Sequence, residues 1–421
     1  MILEFSIENT YSIKERQTIS FEAVDDNGDD DDRHIINIGG KKLLKLAAIY
    51  GANASGKSNI IKAFNFYIQF ILDSFTALKP YEKILFEPFL FVENPERSSG
   101  FFEIVFYFEQ IWYKYQIRLN REKVLNESLS VIEKDNETII FSFNAIDNTH
   151  ICKMEDEKLL QFVRHNATFL SAAAQFNHMF LGKIYRHLKN VIISLEEPAF
   201  FDYTRNMLHN EQKRIGDITR LFNKAGIDHL GDIIIQKKVM LRSVDATDEN
   251  NEILRSIDTE DKTKETLRMI DMADVSVTKE IMFAHEYDKK YILSFFSESM
   301  GTRRFFELAG PLMDCIHHEK NMFIDEIESS LHDDLLDFFI RTFLENTKES
   351  QLLFTTHNQN LLDSPLLRND EVWFAQKDNS GGSEFFSLAE FKDIPVNVSR
   401  RELYKAGAFG ASPRTSRFFK N

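Results

Sequence analysis

Apolar and polar positions alternate with a period of two over MILEFSIEN, so the chain opens on a strand, followed by a turn near Asn9 and further strand-like stretches up to residue 50. Residues 59–75 take the helical period. Alternation returns over 101–108, 111–119 and 124–132, which predicts neighbouring strands of an antiparallel sheet. From about 155 to 238 the spacing is mainly helical, with a helix end at Gly226, and 245–261 is highly charged and without period. Strand spacing resumes at 280–285 and 290–296 around a turn at 286–289. Helix, strand, helix and strand then follow to Thr356, an alternation that predicts a parallel sheet. No a/d heptad persists long enough for a coiled coil.

These periods predict an α/β protein in three parts: an N-terminal lobe over 1–150, a mainly helical insertion over 151–278 forming a compact lid, and a C-terminal lobe over 279–421.

Composition narrows the class. The 421 residues are 43% hydrophobic and 28% charged, with 39 Phe, enough to bury a sizeable core and far from disorder. The N-terminus lacks the basic start and apolar core of a signal peptide, which predicts a cytoplasmic protein. The most apolar helical stretch, 64–75, is interrupted by Asn65, Gln69 and Asp73, so no membrane span is expected. Cys152 and Cys315 make no disulfide framework. Cys315, His317, His318 and Glu319 fit no zinc spacing and read as a helix end. The acidic run 25–32 reads as a solvated loop, with metal binding as the other reading. A net charge of -15 repels a phosphate backbone over most of the surface. One basic stretch stands against it near the C-terminus: Arg400, Arg401, Lys405, Arg414, Arg417 and Lys420, a possible DNA or RNA contact.

The chemistry begins where the strand-like run 44–50 enters GANASGKS and a helix follows, the strand, loop, helix context of a phosphate-binding loop. Gly51 and Gly56 let the backbone turn closely so that successive N–H groups and the helix N-terminus face phosphate. Lys57 is placed for the β/γ-phosphates and the Ser58 hydroxyl for Mg²⁺. The run Gly51, Asn53, Ala54, Ser55, Gly56, Lys57, Ser58 and Asn59 is therefore expected to line ATP.

Further on, Met322, Phe323 and Ile324 lead into Asp325 and Glu326, either an ordinary strand end or a Walker B pair. In the second reading Asp325 holds Mg²⁺ and Glu326 polarises the attacking water. The apolar run 352–356 ends at His357, which is structural or hydrogen-bonds the γ-phosphate. Ser299, Gly301 and Thr302 open a helix, either as a plain N-cap or as a second anion site. Their place, one helix ahead of Asp325, favours reading the elements together.

In that order the sequence resembles the SMC/RecF/OLD-like branch of ABC ATPases, and within it the stand-alone ATPases of bacterial defence of the RloA/AbiLi type. The likeness spans essentially the whole chain. It rests on MILEFSIENTYSIKERQTIS, AAIYGANASGKSN, SESMGTRRFFELAGPL, MFIDEIESSLH, LLFTTHN, RNDEVWFAQKD and RRELYKAGAFGASP. The resemblance implies an ABC-ATPase head with a parallel P-loop sheet core, an antiparallel β lobe and an inserted helical subdomain. Ser299 and Gly301 look like the ABC signature, which would complete the ATP site of a second copy. His357 looks like the switch histidine, and residues 330–332 like the D-loop. It further implies Lys57, Glu326 and His357 in hydrolysis, ATP and Mg²⁺ as ligands, and control of a separate effector, a Toprim-like or HNH-like nuclease, in phage defence. A DNA-repair or chromosome-maintenance head acting directly on DNA is the alternative. Asn9, Thr10, Tyr11 and Ser12 depart from the family's usual N-terminal segment, and Gln110 falls in a turn, so no Q-loop is assigned. Too few residues follow His357 for a Toprim domain as well as the family's closing strands.

Overall fold

Leu46–Gly51 is buried at every position, and an extended run with no polar face needs partners at both edges and cover on both faces. It finds parallel partners in Leu352–Thr355 and Val372–Lys377. The full sheet runs Ile192–Ser194, Asn321–Ile324, Leu352–Thr355, Leu46–Gly51, Val372–Lys377, Ser383–Ser387, and only the last strand is antiparallel. A computed structural model describes all residues except 25–32, 135, 146, 148, 154–156, 195–198, 228–229, 245–251, 258–273, 392–397 and 411–421. The acidic run and Arg414, Arg417 and Lys420 lie outside the described residues.

Helix Lys57–Ala77 buries side chains around most of its circumference, the mark of a helix enclosed on more than one side. Phe64 stacks at 3.8 Å on Phe323 of the parallel sheet. Elsewhere on the helix Tyr67 stacks on Phe102 and donates its hydroxyl to Tyr115 O at 2.9 Å. Both partners belong to a seven-stranded antiparallel sheet ordered Thr149–Cys152, Asn136–Asn144, Val124–Glu133, Ile111–Leu119, Gly100–Phe108, Ile2–Glu8, Gln17–Ser20. The three strands expected from alternation are all present, and Gln110 sits at positive φ in a hairpin turn.

Gln351 joins the two sheets. Fully buried, it accepts from Ile2 N and donates to Ile2 O, both at 2.7 Å, and its own N–H reaches Asn321 Oδ1.

The chain divides into Met1–Glu197 with Asp314–Asn421, and Pro198–Met313. This differs from the insertion read at 151–278. Helices Phe169–Gln175 and Met179–Val191 belong to the first unit, because Phe169, Leu170, Ala173, Leu181, Ile184 and Leu188 join the core around the first helix. Among the described residues of the second unit, Leu230–Val244, Glu252–Ile257, Asp274–Glu286 and Lys290–Ser294 form a four-stranded antiparallel sheet, where the spacing predicts a mainly helical insertion. The β-branched run Ile233, Ile234, Ile235 favours strand over the helix read as far as residue 238.

Glu127 is buried where helix Phe169–Gln175 begins. It accepts from Tyr115 Oη at 2.7 Å, Phe169 N at 2.7 Å and Leu170 N at 3.1 Å. Burial outweighs these three bonds and pushes its carboxyl up to about 7.

Two predictions follow from these buried polar groups. Gln351→Ala strands the Ile2 main chain and should cost about 2–4 kcal/mol, read as a lowered denaturant midpoint at unchanged m-value. Glu127 has a folded pKa above its unfolded one, so its contribution is fully present below about pH 4.5 and is lost as pH rises through about 7. Stability relative to Glu127→Gln should therefore fall across that window by roughly 3 kcal/mol at most, measured by urea unfolding at stepped pH.

Candidate functional site

Strands Asn321–Ile324, Leu352–Thr355 and Leu46–Gly51 are parallel neighbours, so their carboxyl ends open on one edge of the sheet. That edge is where open α/β sheets bind ligands. Asp325, Thr356 and Ala52 each leave a strand there, and the loops meet although Ala52 lies far from the other two in sequence.

The loop from Gly51 to Gly56 is shaped by close approach. A Cβ on Gly51 would lie 2.4 Å from Ala375 O, and one on Gly56 would lie 2.1 Å from Ser383 Oγ. Gly56 is the N-cap of helix Lys57–Ala77 at φ 103, and Ala54 also has positive φ at 63. The helix N-terminus thus begins without a side-chain cap bond among the described residues and with no acidic residue in its first turn. Ser55 Oγ is enclosed and has no hydrogen-bond partner among the described residues. A bare-backbone cradle ahead of a helix N-terminus fits a phosphate chain.

Two serines for which the sequence predicts no role at the loop brace it. Ser383 Oγ donates to Ser55 O at 2.7 Å and lies 2.7 Å from Ser12 Oγ, which accepts from Asn59 Nδ2 at 2.7 Å. Ser12 comes from the turn after the first strand and Ser383 from the antiparallel edge strand. Ser12 lies in the segment that departs from the family pattern; Ser383 carries no local signal.

Lys57 is buried, and its Nζ donates to Gly51 O at 2.8 Å and Ala52 O at 3.2 Å. Burial lowers its pKa, while Asp325, Glu326 and Glu328 act in the opposite direction. Those carboxylates therefore face the lysine electrostatically. Thr355 Oγ1 donates to Asp325 Oδ1 at 2.5 Å and accepts from Glu326 N at 2.8 Å. This holds Glu326 at φ 47, with its side chain exposed.

His357 is exposed, and its backbone N donates to Glu328 Oε1 at 2.5 Å. A cavity of about 440 Å³ lies between the loops, lined by Tyr50, Gly51, Ala52, Asn53, Thr356, His357, Gln359 and Tyr404. One oxygen-rich edge thus brings together Lys57, Asp325, Glu326 and His357 with the loop. Ser58 begins the same helix, half-buried.

Ser299, Gly301 and Thr302 lie in the second unit. Ser299 Oγ accepts from Thr302 N at 3.1 Å, capping helix Met300–His318, and Ser299 is exposed.

The basic stretch near the C-terminus is partly engaged. Arg400 donates to Leu367 O and Ser364 O, each at 2.9 Å, and Arg401 to Asn360 Oδ1 at 2.6 Å. Near the other candidate metal residues, His318 and Lys320 both bond Asp314, and burial pushes the Cys315 thiol far up. Among the described residues no cluster of His, Cys, Asp and Glu is arranged to hold a metal ion, and no helix is long and apolar enough to cross a membrane.

Gly56→Ala combines a strained φ with a clash against Ser383 and should cost about 1–3 kcal/mol. The thermal midpoint should recover in part when Ser383→Gly is added, because the contacts with Ser383 are then relieved while that with Ser12 Oγ remains.

No curated protein matches the chain. Among solved structures, an SMC head domain from Thermotoga maritima aligns over 92% of this chain and 98% of its own at 13% identity and a TM-score of 0.42. An SMC head with an extended coiled coil, bound to a ScpA C-terminal domain derived from Pyrococcus furiosus, aligns over 97% and 98% at 13% identity and a TM-score of 0.41. An SMC head bound to the C-winged helix domain of ScpA aligns over 96% and 99% at 14% identity and a TM-score of 0.41. The model of the family described as "AAA domain, putative AbiEii toxin, Type IV TA system" matches residues 46–363, from the strand before the phosphate loop to beyond His357. The chain belongs to this AAA family.

Proposed function

We propose that this protein binds Mg-ATP at the edge built from Gly51–Ser58 and hydrolyses it. The observation that carries the reading is the convergence of a Cβ-intolerant loop, a buried lysine and two carboxylates at the ends of three parallel strands. Gly51, Asn53, Ala54, Ser55, Gly56 and Asn59 form the phosphate cradle. Lys57 exchanges its bonds to Gly51 O and Ala52 O for the β/γ-phosphates. Ser58 and Asp325 would hold Mg²⁺, which supplies charge neutralisation on the phosphate oxygens. Thr355 fixes the Asp325 carboxylate by a hydrogen bond to Oδ1. Glu326 takes the proton of the attacking water, and His357 positions that water.

Ser299, Gly301 and Thr302 of a second copy close the other side of the nucleotide, so ATP holds two chains together. The family's description in terms of a toxin and a toxin–antitoxin system supports a defence role, with ATP-controlled assembly restraining or releasing a separate Toprim-like or HNH-like nuclease. A head acting directly on DNA is less favoured, because Arg400 and Arg401 of the basic stretch are committed to internal hydrogen bonds.

Lys57→Ala should abolish measurable ATP turnover. Glu326→Gln should reduce it by about 10²–10⁴-fold while retaining ATP. With ATP the Glu326→Gln protein should elute as a larger species on size exclusion, and the same protein without ATP as the smaller one. Turnover unaffected by Lys57→Ala would sink the assignment of the site; elution indifferent to ATP would sink the two-copy arrangement alone.

A further inference from the structure

We propose that Glu328 is a positioning residue for hydrolysis, holding the switch segment in register with the Walker B turn through the main chain of His357. The inference rests on the ATPase reading above and adds to it a residue to which that reading gives no role.

Three observations carry it. The first is the bond itself: Glu328 Oε1 accepts from His357 N at 2.5 Å, across 29 positions in sequence. A main-chain bond to a carboxylate is charge-assisted, and here it fixes where the His357 side chain starts. The second is that the other oxygen, Oε2, is enclosed with no hydrogen-bond partner among the described residues. An enclosed carboxylate oxygen without a partner costs about 1–3 kcal/mol or more, so the residue is poorly explained as a stabilising contact. The third is its surroundings. Ile327 beside it is fully buried and Leu331 N bonds Glu328 O at 2.8 Å, so the segment has little freedom. Glu328 also acts electrostatically on Lys57 and on Tyr50, the residue preceding Gly51, whose phenol burial holds well above its usual range. Tyr50 and His357 line the same cavity. Glu328 therefore sits among the phosphate loop, the Walker B turn and the switch segment, bonded to the last.

A second clasp holds the far side of that segment. Asp333 accepts from Asn358 Nδ2 at 2.9 Å and Asn360 Nδ2 at 2.7 Å, while Asn358 N bonds Thr356 Oγ1 at 3.0 Å. With Asp333 in place, loss of Glu328 releases His357 without unravelling the segment.

The test is steady-state ATP turnover by the full chain. Glu328→Ala should lower kcat about 10–100-fold with KM for ATP within about twofold, the pattern of a lost transition-state interaction. Glu328→Gln keeps an acceptor and should recover most of kcat. In a His357→Ala background, Glu328→Ala should add less than about twofold, since the two act as a unit. An equal loss in both backgrounds, or a raised KM at unchanged kcat, overturns the proposal. If Glu328→Ala does not fold, Glu328→Asp against Glu328→Gln decides: a loss for Asp alone supports it, and equal activity overturns it. Wild-type turnover abolished by Lys57→Ala but unmoved by the Glu328 variants defeats only this proposal. A wild type without turnover defeats both.

Discussion

Helix Lys57–Ala77 is enclosed on more than one side, by Phe323 of the parallel sheet and by Phe102 and Tyr115 of the antiparallel one. A helix so packed can neither slide nor rotate, and its N-terminus is set wherever the two sheets place it. Gly56 is the junction that makes this workable: at φ 103 it turns the chain from a fully buried strand into the helix, in a space where even one methyl would meet Ser383. The phosphate loop is thus a consequence of core packing. Gln351 adds a polar restraint to the same arrangement, tying the first strand to the parallel sheet in a place that excludes water.

Given that fixed loop, strand order does the rest. Parallel neighbours deliver the ends of three strands to one edge, where Thr355 orients both members of the Asp325–Glu326 pair from the adjacent strand. Lys57 is buried, which weakens its charge, while three carboxylates strengthen it. The opposition keeps a desolvated cation in place. Glu328 belongs to the same set of charges, with one oxygen bonded to His357 N and one left enclosed.

The stretch read as an insertion, 151–278, shows where periodicity misleads. Helices Phe169–Gln175 and Met179–Val191 fall where the spacing is helical, yet their apolar faces close on the first helix and so join the core around it. Downstream, a β-branched run next to charged residues carries no clean period of two, and only pairing with Asp274–Glu286 makes it a strand. A helical spacing says that one face will be buried; it does not say against what.

The sequence by itself determined the loop, its lysine, the strand-end carboxylates and the antiparallel strands, because each depends on local geometry: close backbone turns, alternation, or a strand running into a polar residue. The family follows from the same residues. Tertiary structure decided the unit boundary at 198 rather than 151, the bracing by Ser12 and Ser383, the Thr355 clamp, the commitment of Arg400 and Arg401 to internal bonds, and the contact of Glu328 with His357. All of these join residues far apart in the chain. Such contacts leave no spacing to read, since what places them is the order of strands in a sheet and the burial of one helix.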